Sequence, residues 1–406
     1  MDAKATSRDW AIRAVIYVLL SLFALIMLFP FIYMMATSFK NSGDVFRYPP
    51  RVLPYSANTI DYNGEQVSVY RFEVNDQTRD FVLTGDKEPF GFFTTEALIN
   101  AAEPRQSEIL TQAAIADAVD LGETATIDGE EFDVYEVTMD EQSQRLLLAY
   151  RSSLDVFVDP EDPTVVEYAV ARTAALDESV EFQTDNYNIV FNELNLQRAL
   201  VNTTFVTLGV TIGQLVTSIF GGYAFSRIPF RGRDTLFVMY LGSIMIPFVV
   251  LIIPMYRLMV VIGWENRIVA LIVPWVFTAY GTFLMRQFFL TIPKEIEEAA
   301  LLDGCSRLRI LWTIFVPLST PSVATLGIFS FLYAWNSFLW PLLIIGEGNE
   351  ANHVLTLSLI RLSNIAADRP NLVLTGAAIA ILPPILVFIL AQRYFIESVA
   401  SSAVKG

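Results

Sequence analysis

Apolar residues are gathered into six long stretches that alternate with polar sequence. About 20 helical residues cross a hydrocarbon core of about 30 Å, and each stretch has at least that length. Inside lipid, every backbone N–H and C=O must be paired within the segment, so the stretches are predicted to be helices. The six predicted membrane helices cover about residues 14–36, 199–225, 235–262, 267–290, 319–343 and 372–394.

The first stretch is predicted to be a retained membrane anchor rather than a cleaved signal peptide. Lys4, Arg8 and Arg13 precede it, as basic residues do in a signal peptide. However, its apolar run exceeds the roughly 7–15 residues of a signal sequence, and no A-x-A-like cleavage site follows it. The chain is therefore expected to be a multi-pass protein surrounded by membrane lipid.

Lysine and arginine residues predict the orientation of the helices, because the cytoplasmic segments of membrane proteins are enriched in both. With the N-terminus inside, the short outer segments hold only Arg267, Arg361 and Arg369. Both termini are therefore predicted to be cytoplasmic, and residues 41–198 are predicted to lie outside. The segments predicted to be cytoplasmic hold Lys4, Arg8, Arg13, Arg227, Arg231, Arg233, Arg286, Lys294, Arg307, Arg309, Arg393 and Lys405.

Charge separates the chain into two bodies. Residues 41–198 carry 31 Asp and Glu against 10 Lys and Arg, a net charge of −21, and the rest carries 12 acids against 17 bases, a net charge of +5. Neither body has the concentrated basic surface that nucleic acid requires. Cys305 is the single cysteine and His353 the single histidine, which excludes a disulfide scaffold and argues against a histidine-based metal or catalytic site.

Residues 41–198 are predicted to form a small α+β domain. Stretches rich in β-branched and aromatic residues predict strands at 67–74, 131–138, 145–150 and 165–173. Apolar residues at helical spacing predict helices at 94–100 and 106–119. The low-charge stretch 88–104 is interpreted as a core element, with a partner-binding face as the alternative. The predicted organisation is an N-terminal anchor at 1–40, this domain at 41–198 and a membrane core at 199–406.

A short amphipathic helix is predicted between the fourth and fifth membrane helices, within the polar segment 291–317. Pro293 suits a first helical turn, and Gly304 suits the left-handed residue after the last turn. Ile296, Ala299, Ala300 and Asp303 follow the i, i+3, i+4, i+7 spacing of one helix face. Small alanines on that face allow another surface to approach closely. The alternative is a solvated linker that lies at the lipid headgroups.

This segment carries a resemblance to a known family. Glu298, Ala299 and Ala300 are followed after three residues by Gly304, and after nine more by Ile314, Phe315, Val316 and Pro317. The pattern resembles the EAA signature of bacterial ABC-importer permeases, with Val316 in place of the leucine. Other segments resemble the smaller subunit of maltose-type carbohydrate permeases. They are Phe29–Lys40, Asn186 with Tyr187 and Asn202, Gly222–Gly232, Trp335 with Asn336, Gln392–Phe395 and Val404–Gly406.

The resemblance implies an all-α polytopic membrane domain, a type I ABC importer permease with six transmembrane helices and an inserted α+β extracytoplasmic domain. It implies a second permease subunit in a heterodimer, a dimer of ATP-binding subunits and an extracytoplasmic sugar-binding protein in the bacterial inner membrane. The helix with Ile296, Glu298, Ala299, Ala300, Asp303 and Gly304 would dock on the ATPase. The chain has no GxxxxGK[ST] loop, so ATP and Mg²⁺ are expected on the partner ATPase, with no cofactor, metal site or catalytic residue on this chain.

Polar residues within the predicted membrane helices are candidates for the substrate pathway, because such residues usually face a cavity or a partner. The candidates are Asn202, Gln214, Tyr280, Trp335 and Asn336. An aromatic ring beside an amide suits a sugar, since one supplies a flat apolar face and the other supplies hydrogen bonds. The alternatives are an interfacial aromatic for Trp335 and an interhelical hydrogen bond for Asn336.

The expected function is that of the membrane subunit of an ATP-driven carbohydrate importer that works by alternating access. The insertion between the first two helices resembles those of α-glucoside-type permeases, so α-glucosides or related oligosaccharides are the expected substrates. Two alternatives stay open: a membrane-anchored receptor or sensor whose outer domain recognises a ligand or protein, and an ABC permease for a solute other than sugar.

Overall fold

The chain folds into two compact units, one mainly helical and one built of strands. The helical unit is formed by the chain up to Pro54 and from Phe182 onward, and the strand unit is Tyr55–Glu181. The computed structural model describes residues 7–74, 77–95, 110–127, 130–139, 142–346 and 348–403. The terminal Val404–Gly406 and much of the stretch 88–104 lie outside the described residues.

The strand unit is narrower than the predicted domain 41–198, because the flanking residues pack with the helices. Asn186 is buried and donates hydrogen bonds to the carbonyls of Ser38 at 2.9 Å and Lys40 at 2.8 Å. Asn371 of the last helix donates to the Asn186 side chain at 3.1 Å. Buried polar groups therefore tie the chain near Lys40 and near Asn186, on either side of the strand unit, to the helical unit.

The helical unit consists of long membrane-type helices joined by short ones. Turns of 3-10 or π type connect several of them, at Ile189–Glu193, Ser243–Met245, Val273–Trp275, Leu311–Phe315 and Glu350–Asn352. The helices are α1 (Ser7–Thr37), α2 (Ser42–Val45), α3 (Asp185–Asn188), α4 (Leu196–Arg227), α5 (Arg233–Gly242), α6 (Phe248–Val261), α7 (Val269–Ile272), α8 (Ala279–Thr291), α9 (Lys294–Leu302), α10 (Arg307–Ile310), α11 (Val316–Leu318), α12 (Thr320–Trp335), α13 (Leu339–Ile345), α14 (Leu355–Ile365) and α15 (Pro370–Ala403).

Three continuous helices in the described part of the chain are long and apolar enough to cross a membrane. They cover Ile12–Thr37, Leu196–Arg227 and Pro370–Arg393. These positions confirm the predicted helices at 14–36, 199–225 and 372–394, where no break interrupts the apolar run.

The other three predicted membrane helices are not straight. The stretch 235–262 bends by 96° between Met245 and Phe248, where Pro247 removes a backbone donor. The stretch 267–290 bends by 41° between Trp275 and Ala279. Helix α12 begins after an 83° bend and ends at Trp335, so the predicted helix 319–343 is broken before α13. Apolar length alone does not reveal such breaks.

Helices α4 and α8 approach closely because small residues lie between them. A Cβ added to Gly222 would lie 2.6 Å from the Cβ of Met285, so only glycine fits there. Next to this contact, Tyr223, Met285, Phe289 and Phe315 form a buried apolar cluster. This packing joins the end of α4 to the segment that precedes α9.

The strand unit contains a main antiparallel sheet and a separate pair of strands. Its strands are β1 (Tyr55–Ala57), β2 (Thr59–Tyr62), β3 (Glu65–Val74), β4 (Gln77–Thr94), β5 (Thr111–Ala114), β6 (Ala118–Ile127), β7 (Glu130–Met139), β8 (Gln142–Val158), β9 (Val166–Ala169) and β10 (Glu178–Val180). The main sheet has the order β2-β3-β4-β8-β7-β6, with β5 paired to β4 and β9 to β8, while β1 and β10 form the separate two-stranded sheet. Predicted strands at 67–74, 131–138 and 145–150 are confirmed, and the predicted strand 165–173 is a strand only at Val166–Ala169.

The helix predicted at 106–119 is wrong for the residues that the structure describes. Thr111–Ala114 is a strand, Ile115–Asp117 is a 3-10 turn, and β6 follows at once. Pairing with β4 and β7 supplies backbone hydrogen bonds that outweigh the local helical spacing. The predicted core role of 88–104 is confirmed for Phe90, Phe92 and Phe93, which are buried.

Candidate functional site

The helix predicted between the fourth and fifth stretches is present as α9. It runs from Lys294 to Leu302, directly after Pro293. Gly304 has φ +79°, the left-handed conformation that glycine adopts most easily, and it ends the segment as predicted.

The two faces of α9 differ from the predicted arrangement. Ala300 lies against the apolar cluster under the helix and is only 8% exposed, so it does not belong to the outer face with Ile296, Ala299 and Asp303. The i, i+3, i+4, i+7 spacing does not determine whether a residue at the edge of the stripe faces outward or inward. Here Ala300 faces inward, because it packs in the cluster that contains Phe289 and Phe315. The exposed residues of this segment include Ile296, Glu298, Ala299, Leu302, Asp303 and Gly304.

Leu302 is the most exposed apolar side chain of α9, at 89%. Ile296 and Leu301 are exposed as well, at 39% and 40%, so the outer side of α9 carries several apolar side chains. The sequence motif indicated Glu298, the alanines and Gly304, and it did not indicate Leu302, which lies between Ala300 and Gly304. Its signal in the sequence was weak because either face of a short helix accommodates leucine.

Glu297 attaches the inner side of α9 to helix α4. The Tyr223 hydroxyl donates to Glu297 Oε1 at 3.0 Å, and Arg227 Nη1 lies 3.7 Å from Oε2. Arg307 adds a second cation at 3.9 Å from Oε1. We call Tyr223, Arg227, Glu297 and Arg307 the elbow anchor. Since Glu297 is 7% exposed, its carboxylate depends on these partners in place of water.

Arg227 also binds the chain that leads into α9. Its guanidinium donates to the carbonyls of Phe289 and Ile292, and it lies over the Phe315 ring with 5.0 Å to the centroid. One side chain at the end of α4 therefore holds the end of α8 and the start of α9. The sequence indicated Arg227 as a cytoplasmic charge and as part of the Gly222–Gly232 resemblance, and it did not indicate that Arg227 pairs with Glu297.

A second candidate feature is an open cavity of about 610 Å³ in the helical unit. Gln214 and Tyr280, two of the predicted pathway residues, line it. The rest of its wall comes from α8, α12 and the bends between Ser243 and Phe248 and between Trp275 and Ala279. Its lining residues are Gln214, Ser243, Ile244, Ile246, Pro247, Phe248, Trp275, Phe277, Thr278, Ala279, Tyr280, Leu326, Phe329, Ser330 and Tyr333.

Gln214 lies near the middle of the 32-residue helix α4. Its Nε2 donates to the Trp275 carbonyl at 2.8 Å, and its Oε1 accepts from the Ser330 hydroxyl at 2.6 Å. An amide has two N–H donors and two acceptor lone pairs, so these bonds use half of its capacity. Tyr280 is 45% exposed, with its ring 6.5 Å from that of Phe329. Both residues therefore have hydrogen-bonding groups that these contacts do not use.

The structure places the other three predicted pathway residues outside this cavity. Trp335 is buried and donates to the Ala380 carbonyl at 3.1 Å. Asn336 donates to the Leu332 carbonyl of its own helix at 2.9 Å. Asn202 donates to the carbonyls of Ala351 and His353. Each of these side chains satisfies a backbone carbonyl.

The cavity residues that the sequence did not indicate include Trp275, Ser330 and Tyr333. Trp275 and Tyr333 lie with their rings 5.6 Å apart, next to the break before α8. Aromatic residues in a membrane helix are equally consistent with core packing and lipid contact. The bend next to Trp275 brings its ring toward Tyr333 of α12, and this position shows that Trp275 lines the cavity.

Comparison with known proteins identifies the helical unit. Residues 209–401 match the family described as binding-protein-dependent transport system inner membrane component. The arabinooligosaccharides transport system permease protein AraQ of Halalkalibacterium halodurans is 33% identical over 223 residues, which is 55% of this chain and 79% of that protein. The chain belongs to this family. The predicted resemblance to ABC-importer permeases is therefore confirmed.

Other relatives of the permease carry different solutes according to their names. The sn-glycerol-3-phosphate transport system permease protein UgpE of Pectobacterium atrosepticum is 34% identical over 203 residues, 50% of this chain and 72% of that protein. A solved bacterial ABC transporter involved in the import of the acidic polysaccharide alginate matches with a TM-score of 0.56 and 18% identity, covering 97% of this chain and 100% of that one.

The permease thus has the fold of a type I ABC importer, helical in its C-terminal part and with an added domain before it. The relatives are transport permeases of the inner membrane rather than enzymes. The family match begins at residue 209, so the strand unit lies outside it. Both the elbow anchor and the cavity lie inside the matched region.

Proposed function

We propose that the permease is one membrane subunit of an ATP-driven carbohydrate importer, and that α9 docks on a separate ATPase subunit. The observation that carries this proposal is that the continuous helix α4 connects α9 with the cavity. Its end holds Tyr223 and Arg227 of the elbow anchor, and its middle holds Gln214 of the cavity. Thirteen residues separate Gln214 from Arg227, about 20 Å along a helix.

This arrangement gives a mechanical path. A partner that binds the exposed face of α9 moves the helix, and the buried Glu297 passes the displacement to Arg227. Because α4 is continuous, the displacement reaches the cavity wall at Gln214 without a flexible joint. Two packings of the membrane helices, one open to each side, would then alternate as ATP binds and is hydrolysed on the partner.

A carbohydrate is supported by the chemistry of the cavity wall. Trp275, Tyr280 and Tyr333 offer flat rings for the C–H faces of a sugar, and Gln214 and Ser330 offer hydrogen bonds for hydroxyls. Several related permeases are named for sugars or sugar polymers. α-Glucosides remain one class among the candidate substrates.

The proposed topology has six membrane crossings, with each bent helix pair counted as one crossing. The distribution of lysine and arginine then puts both termini in the cytoplasm, α9 on the same side and the strand unit outside. The proposed assembly contains a second permease subunit, two ATP-binding subunits that hold ATP and Mg²⁺, and a soluble sugar-binding protein on the outer side.

The docking role is tested by Glu298→Lys in the complete importer, reconstituted in liposomes with its partner subunits. Glu298 is exposed and is not part of the elbow anchor, so the permease should assemble normally. Stimulated ATP hydrolysis should fall to the basal rate because a reversed charge lies in the docking face. Arg231→Glu, an equal change of charge at an exposed position, is the matched control and should retain stimulation.

Wild-type stimulation in Glu298→Lys and Gly304→Arg would overturn the docking role. A receptor or sensor is distinguished by a second measurement, because such a protein would purify without a nucleotide-binding subunit. Co-purification of that subunit with the wild type, and its loss in Glu298→Lys, is the expected result.

A further inference from the structure

The cavity wall combines apolar side chains with polar groups that carry no charge. The described residues that line it include no Asp, Glu, Lys, Arg or His. Their polar groups are the amide of Gln214, hydroxyls of Ser, Thr and Tyr side chains, and the indole of Trp275. None of these groups carries a charge near neutral pH, because tyrosine, the most acidic of them, ordinarily has a pKa of about 10.

The charged residues on the same helices are positioned elsewhere. Arg286 follows Tyr280 by six residues, about 9 Å along α8. Its guanidinium lies 4.2 Å from the Phe237 ring centroid and 3.4 Å from Asp234, so both its face and its charge are engaged. Arg257 follows Pro247 by ten residues on α6, about 15 Å away along the helix.

The N-terminus of α8 is the one feature of the described wall that would favour an anion, and the Thr278 side chain caps it. Helix α8 begins at Ala279 beside the cavity, and the first N–H groups of a helix attract negative charge. The Thr278 side chain accepts a hydrogen bond from the N–H of Gly281 at 3.3 Å and so occupies one of these donors. The Gln214 side chain bonds the Trp275 carbonyl on the other side of this bend.

We propose that the solute of this permease is a neutral, hydroxyl-rich oligosaccharide and not a uronate or a sugar phosphate. The proposal rests on the proposed function, since it requires the cavity to be the solute path. A carboxylate or phosphate that enters this cavity would lose water and gain no cation from the wall. A neutral sugar that loses water in this cavity gains contacts instead. Its C–H faces pack on the aromatic rings, and its hydroxyls bond to the wall hydroxyls and the Gln214 amide.

The relatives make the distinction meaningful, because their names cover both classes. Arabinooligosaccharides are neutral, whereas sn-glycerol 3-phosphate and alginate are anionic. Membership of the family therefore does not decide the charge of the solute. The side chains around the cavity do.

The test measures direct binding to the assembled permease complex in nanodiscs, without the soluble binding protein, so that the selectivity of that protein does not enter. The ligands are a galacto-oligosaccharide and a galacturonate oligosaccharide of equal length, with glycerol 3-phosphate as a small anion. The neutral oligosaccharide should bind at least about tenfold more tightly than its uronate counterpart, equal to about 1.4 kcal/mol.

Tyr280→Arg and Phe277→Arg place a cation at the cavity and should shift the affinity ratio toward the uronate by about tenfold. Phe277 lies in the segment between α7 and α8 and is 69% exposed, so an arginine side chain has room there. The Phe277→Arg variant therefore tests the effect of a cation at the cavity a second time. Phe46→Arg, at a side chain that is also 69% exposed but does not line the cavity, is the matched control and should keep the wild-type ratio.

Tighter binding of the uronate or of glycerol 3-phosphate by the wild type would overturn the charge argument alone, as long as the arginine variants still change affinity. Unchanged affinities in both arginine variants, or no binding of either oligosaccharide, would mean that the cavity is not the solute path. In that case the proposed pathway fails and this inference fails with it.

Discussion

Helix α4 uses polar side chains in opposite ways at its end and at its middle. At the end, Arg227 and Tyr223 meet the buried carboxylate of Glu297, and charges are paired. At the middle, Gln214 faces a cavity with uncharged partners and spare hydrogen-bonding capacity. Under the proposed function this difference has a reason: a joint that transmits movement needs a geometry that is costly to break, whereas a passage needs groups that exchange partners at little cost.

The largest expected effect comes from removing the charge at the joint. Glu297→Ala leaves Arg227 without its carboxylate and the Tyr223 hydroxyl without its acceptor, which should lower the free energy of unfolding by about 2–3 kcal/mol. Stimulated ATP hydrolysis should fall as well, because α9 loses its attachment to α4. Thermal unfolding and ATPase assays of the purified importer measure the two effects.

Glu298→Ala is the control for that variant, since it removes the adjacent and exposed carboxylate. It should leave thermal unfolding unchanged within the usual range for surface substitutions, about 0.5 kcal/mol. Equal stability losses in the two variants would show that burial and pairing do not distinguish these neighbours.

The next largest effect concerns the outer face of the same helix. Leu302→Asp replaces the most exposed leucine of α9 by a charge and should reduce coupled transport by about tenfold or more, since a buried leucine in an interface contributes about 1.5–3 kcal/mol. Unfolding of the permease should be unaffected. Leu302→Met keeps the volume and should retain coupling; loss of coupling in both variants would argue against an apolar contact.

A smaller effect is expected at the cavity. Gln214→Leu removes hydrogen bonds to the Trp275 carbonyl and the Ser330 hydroxyl, and it should raise the KM for uptake by about tenfold with a stability loss of about 1–2 kcal/mol. Asn202→Ala, which removes hydrogen bonds to two loop carbonyls, should lower stability to a similar degree without raising KM. A KM raised equally in both variants would contradict a specific role for Gln214 in the passage.

The smallest effect is expected for a charge pair on the surface. The Arg361 guanidinium bonds the carboxylate of Glu350 and holds the pKa of that carboxyl below its usual range. A lowered pKa stabilises the folded state above the unfolded pKa of about 4.5, and this contribution is lost as pH falls through the folded value. The Tm of the wild type should therefore exceed that of Glu350→Gln slightly at pH 7, and the difference should shrink and then vanish as the pH falls from about 4.5 through the folded pKa. A difference that persists below the folded pKa would assign the effect to another contact.

Local patterns predicted the parts of this molecule that depend on neighbouring residues. The apolar lengths identified three continuous membrane helices, and Pro293 with Gly304 bounded α9 correctly. The helix predicted at 106–119 was wrong in its described part, because Thr111–Ala114 pairs with β4, a contact that local spacing does not contain. The position of Trp335 shows the same limit, since its partner at Ala380 lies 45 residues away.

The sequence by itself determined that the chain is a membrane protein with a charged insertion and an EAA segment, because length, composition and short spacing are local properties. The tertiary structure decided that Ala300 faces inward, that Glu297 pairs with Arg227 seventy residues earlier, and that Gln214 rather than Trp335 lines the cavity. These outcomes depend on helix bends and close approaches between distant segments. Hydrophobic periodicity specifies which residues avoid water, and it leaves open which of the available partners each one meets.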